Sequence, residues 1–96
     1  MRCAPPSAPP PSLKIAPPRV IQARGVSCAV ARRIARAYLV DCRDELLYEM
    51  DCTIAAGGRS WVCGMRLLGP TGDYSLITCR GGAGHVTRFH VRFEYT

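Results

Sequence analysis

Residues 61–80 read WVCGMRLLGPTGDYSLITCR. Their reading decides the fold. The first eight alternate, so that Trp61, Cys63, Met65 and Leu67 share one face of a strand. Gly69-Pro70-Thr71-Gly72-Asp73 has the composition of a turn. Residues 74–80 then place Ser75, Ile77 and Cys79 together. Pairing Leu68 with Tyr74 across the turn sets Cys63 opposite Cys79, Met65 opposite Ile77 and Leu67 opposite Ser75. The apolar faces agree without adjustment, and because a one-residue slip would turn every side chain over, the agreement specifies the register.

A third strand follows. Residues 86–95 alternate so that Thr87, Phe89, Val91, Phe93 and Tyr95 face inward, and Val86, Arg88, His90, Arg92 and Glu94 face outward. The glycine-rich RGGAG before it, from Arg80, joins strand to strand; a phosphate-binding loop requires a strand-to-helix context, so this is hairpin chemistry.

Upstream lies one helix, expected over residues 27–40. Ser27 is an N-cap, because its hydroxyl can accept from an orphan amide of the first turn. Ala29, Ala31, Ala35 and Ala37 favour helix, as do Arg32, Arg33 and Arg36. At 100° per residue the arginines share one edge, while Ala31, Ile34 and Tyr38 lie opposite, flanked by Val30 and Ala35. The basic stripe reads as a solvated face. DELLYEM, from Asp44, reads as a second short helix or a loop.

Residues 1–24 hold seven of the eight prolines and no apolar run of export length, so they read as a disordered Pro/Ala-rich tether outside the domain. The expected division is therefore 1–24 as tract and 25–96 as a small α+β domain: one amphipathic helix packed on a three- to four-stranded antiparallel sheet. A core of about 70 residues is marginal by burial alone, and covalent staples offset that.

Six cysteines permit three disulfides. Cys42 and Cys52 bound one loop and form the easiest pair. Bridging Cys63 to Cys79 asks opposed Cβ atoms to come closer than a sheet usually holds them; alternatively one of them bonds Cys28 and ties helix to sheet. That leaves three core cysteines for one bond, unless Cys3 reaches back. In the first helical turn, the Cys28 thiol would also be a candidate reactive group, ranked below a structural role.

These pieces resemble a group of small, uncharacterised actinobacterial secreted domains. The matching residues are Ser27-Cys28-Ala29-Val30-Ala31-Arg32 at the helix start, Trp61-Val62-Cys63, Cys79-Arg80-Gly81 and Val91-Arg92-Phe93. Some relatives also carry a cysteine pair between helix and first core strand, as Cys42 and Cys52 do here. The resemblance covers residues 25–93 and implies a secreted or cell-surface, disulfide-bearing domain. It brings no catalytic residues. The chain departs from the group in showing no export signal in residues 1–24.

Function is less legible. Two histidines and seven acidic residues form no Ser-His-Asp or paired-carboxylate motif. There is no Cys-x-x-Cys, and no metal or cofactor is expected, although Cys79, His85 and His90 could converge around the last turn. No stretch is long enough to span a membrane. The lead is charge: thirteen Lys+Arg against seven Asp+Glu gives +6. Parity puts Arg66, Tyr74, Arg80, Arg88, His90 and Arg92 on the outer sheet face. Such a face suits an anionic polymer, a membrane surface or an acidic protein. The expectation is a non-enzymatic extracellular interaction module. The alternatives are a thiol-redox or metal-dependent activity centred on Cys28, and an intracellular nucleic-acid binder with reduced thiols. Export disfavours nucleic acid.

Overall fold

The computed structural model describes residues 2–4, 21–42, 51–68, 74–82 and 84–92. Among these residues it is an α+β fold with one helix and six strands, β1 (Arg2–Cys3), β2 (Ile21–Arg24), α1 (Cys28–Asp41), β3 (Cys52–Ala56), β4 (Arg59–Leu68), β5 (Tyr74–Arg80) and β6 (Val86–Arg92). The strands form one sheet in the order β1-β2-β6-β5-β4-β3, each neighbour antiparallel.

The central hairpin has the register expected from alternation. Leu68 pairs with Tyr74, Met65 with Ile77 and Cys63 with Cys79. The β5–β6 ladder continues it, from Tyr74 opposite Arg92 to Arg80 opposite Val86. The connection is closed by hydrogen bonds from the Gly81 amide to the His85 carbonyl and from the His85 amide to that of Gly82. The helix matches equally well. The Ser27 hydroxyl accepts from the Val30 amide at 3.2 Å, and the buried face is Ala31, Ile34, Ala35, Tyr38 and Leu39. Arg33 and Arg36 are exposed.

Twice as many strands as the three read from the sequence are present, and two of the additions come from the tract expected to be a tether. Ile21 and Ala23 turn into the core while Gln22 and Arg24 face out, so β2 has a strand's alternation over four residues. It lies along β6, with Ile21 opposite Phe89. Outside it β1 pairs through Arg2 opposite Gln22 and Cys3 opposite Ile21. The boundary drawn at residue 25 therefore cuts through the sheet. The third addition, β3, forms a hairpin with β4 across Gly57 and Gly58, both at positive φ (60° and 79°), the two-residue turn whose twist matches that of paired strands. Residues 44–50 and the 69–73 turn lie outside the described residues, as do Phe93, Glu94 and Tyr95.

The core lies between α1 and the odd-numbered face of β4–β6, where Trp61, Tyr38, Phe89, Ile21, Ile34, Leu39 and Ile77 are fully buried. Tyr38 meets Phe89 edge to face, ring centroids 5.9 Å apart, a geometry the ring quadrupoles favour.

All six cysteines are bridged. Cys42 pairs with Cys52, and Cys63 with Cys79 across the hairpin, the Cα atoms 3.9 Å apart. Cys28 bonds neither Cys63 nor Cys79; its partner is Cys3. The helix is thus fastened at its first residue to the edge strand β1 and at its C-cap to the opposite edge strand β3. About 21 Å of helix spans a sheet whose edges lie about 24 Å apart, at five strand spacings.

Candidate anion-binding face

Register, more than proximity in sequence, assembles the outer face. Across the sheet, Arg2, Gln22, Arg88, Thr78 and Gly64 occupy one row. Arg24, Val86, Arg80 and Val62 form the next. On the other side of the first row, His90, Leu76 and Arg66 form a third. The helix covers the opposite face, so these positions look away from it.

Arg66, Arg80 and Arg88 are exposed, and His90 is half-buried. Tyr74 and Arg92 are register partners at one end of the same ladders. Val86, outward by parity, is nevertheless buried. Its register neighbours are Arg24 and Arg80, whose aliphatic stems are long enough to cover it while their guanidinium groups stay in water.

Sequence reasoning missed three contributors. Arg2, Gln22 and Arg24 are exposed on the same face because β1 and β2 extend the sheet beyond β6. The available signal was the alternation Ile21-Gln22-Ala23-Arg24 ending at Gly25, which adopts a positive φ of 76°. With Arg88 these residues surround a depression of about 270 Å³. A second, of about 510 Å³, opens over Gly64 and Thr78, with Arg66 and Arg80 at its sides, Arg88 at one end and Asp51 at the other. Arg88 belongs to both.

A second polar cluster lies at the end of the sheet. Arg59 donates to Nδ1 of His85, and its Cζ lies 5.9 Å from the Trp61 ring centroid, within cation–π range. Trp61 is fully buried and its indole N–H donates to the Ala56 carbonyl at 2.9 Å. The cluster therefore reads as a clasp joining the β3–β4 hairpin to the β5–β6 turn.

The remaining candidates are dispersed. The Cys79 sulfur is bonded to Cys63, and His85 is held by Arg59; Cys79, His85 and His90 do not converge. No grouping of three or more His, Cys, Asp or Glu suited to a metal occurs among the described residues. The Cys28 sulfur is bonded to Cys3. No helix among the described residues is long and apolar enough to cross a membrane. Comparison with protein-family models, with curated proteins and with solved structures finds no match.

Proposed function

We propose that the chain is a non-enzymatic, extracellular interaction module that holds an anionic partner against its outer sheet face. The observation that carries this reading is the convergence of Arg2, Arg24, Arg66, Arg80 and Arg88 from five strands onto one side of the sheet. Five arginines on one small face create a local positive potential and raise the encounter rate with anions. The three disulfides support an oxidising setting, which for a domain of this size favours export, in keeping with the secreted domains the sequence resembles.

The test compares two pairs of substitutions. The double variant Arg80→Ser/Arg88→Ser is expected to elute from an anionic matrix at clearly lower salt than the parent chain, and Arg33→Ser/Arg36→Ser on the helix to elute close to it. A larger loss from the helix pair would transfer the site to α1. No loss from either would reduce the charge to a solubility feature.

A further inference from the structure

The larger depression has a composition that a bare cation patch lacks. Its floor is Gly64 and Thr78, register partners on β4 and β5. Their smallness makes the trough, because two residues further along the same strands stand Arg80 and Val62 on one side and Leu76 and Arg66 on the other. Those walls are about 13–14 Å apart along the strand direction, at four residues of about 3.4 Å. Each wall thus pairs a guanidinium with an apolar side chain, and Val62 is 51% exposed. One end is closed by Asp51, whose carboxylate lies 3.0 Å from where a Cβ on Gly64 would stand.

Asp51 decides among anionic partners. An ionised carboxylate is an acceptor only. It repels a partner that offers nothing but acceptors and negative charge, such as an acidic peptide's side chains or a phosphate backbone. It welcomes one that also offers hydroxyl donors. The trough therefore asks for carboxylates facing Arg66, Arg80 and Arg88, hydroxyls facing Asp51 and Thr78, and C–H surface against Val62 and Leu76. Sugar rings bearing carboxylates offer all three on one narrow chain. Among the aromatic side chains that are described, Tyr38, Trp61 and Phe89, none is exposed for a base to stack on. Resting on the reading of the basic face given above, we propose that this trough takes a carboxylated glycan, a polyuronate chain, lying across the strands with Arg88 as its anchor at the end away from Asp51.

The experiment measures binding of the full, oxidised chain to oligogalacturonate and to poly-L-glutamate of matched charge, with duplex DNA and vesicles rich in anionic lipid as further arms. The parent chain is expected to bind oligogalacturonate tightest. Asp51→Asn is expected to weaken oligogalacturonate roughly two- to tenfold, the range by which a hydroxyl's bond to a carboxylate exceeds its bond to a neutral amide oxygen, and to strengthen poly-L-glutamate and DNA by removing a like charge. Thr78→Val, which keeps the shape of the floor, should weaken oligogalacturonate and leave poly-L-glutamate unchanged; it stands in should Asp51→Asn alter the melting temperature. Strengthening of every ligand by Asp51→Asn, or tighter binding of poly-L-glutamate, DNA or vesicles by the parent chain, would overturn the glycan assignment while leaving the basic face intact. Failure of all four ligands to bind would overturn the basic face as well.

Discussion

The Trp61 ring packs so tightly under the β5–β6 turn that a Cβ added to Gly81 would stand 2.5 Å from it. The ring is fully buried and tied by its N–H to Ala56, so it has little room to yield. Gly81→Ala is expected to cost about 1–3 kcal/mol, the range for overpacking a filled core, read as a lower urea midpoint with an unchanged slope. Thr87 works in the opposite direction. It is fully buried between Ala23 and Cys79, and its hydroxyl has no hydrogen-bond partner among the described residues. An unsatisfied buried hydroxyl is unfavourable, and Thr87→Val is expected to raise stability by about 1 kcal/mol; a loss of stability would mean that the hydroxyl is partnered. Parity alone pointed to Arg66, Arg80 and Arg88, which are exposed, because period-2 alternation is a strictly local property. The partner of Cys28 was not local. Cys3 stands 25 residues away, and no periodicity links the two.

Elements became legible in proportion to their length and to the turns beside them. The ten-residue β4 and seven-residue β5 carry enough alternations to settle their register, and α1 combines an N-cap with a continuous apolar face. β2 offers only four residues, two turns of alternation just after Pro17 and Pro18, so the proline content of its surroundings outweighed it. β3 is CTIAA. Its alanines are weak strand formers, and its strongest sign is the Gly-Gly turn that follows. Ile21 tests whether β2 is integral: it is fully buried and pairs with Phe89. Ile21→Ala is expected to destabilise by about 2–5 kcal/mol, as for other buried aliphatic truncations. A change below about 0.5 kcal/mol, the level of ordinary surface substitutions, would detach β2 from the core. Ser27→Ala, by contrast, removes one cap bond and should cost about 1 kcal/mol.

For the molecule as a whole, three covalent closures supplement a small core. Their sequence separations are 25 for Cys3–Cys28, 16 for Cys63–Cys79 and 10 for Cys42–Cys52. If each acts by restricting the unfolded chain, the contributions are about 3.5, 3 and 2.7 kcal/mol in that order. Paired Cys→Ser variants, melted one pair at a time, should follow that ranking, each losing roughly 10 °C or more. Full reduction should remove most or all cooperative unfolding. An unchanged melting temperature under reductant would show that the core suffices alone and would withdraw the argument for an oxidising compartment. The global plan was legible only in its class. Helix-on-sheet followed from one amphipathic helix and three alternating strands, but the full width of the sheet depends on β2 pairing with β6 and β1 with β2, and no local pattern names those partners.

The fastening of α1 to both sheet edges also has a mechanical meaning. Drawn out by its two ends, the oxidised chain cannot lengthen through the segments that its bridges short-circuit. Those segments total about fifty residues, each worth up to about 3.4 Å of extended length, so roughly 170 Å of slack stays locked away. In a single-molecule pulling record, reductant should release that hidden length in three discrete steps, the smallest from the link between the helix end and β3. Under load the oxidised domain would thus give way by a limited distance and stop, with its cross-links, rather than its sheet, setting the limit of travel.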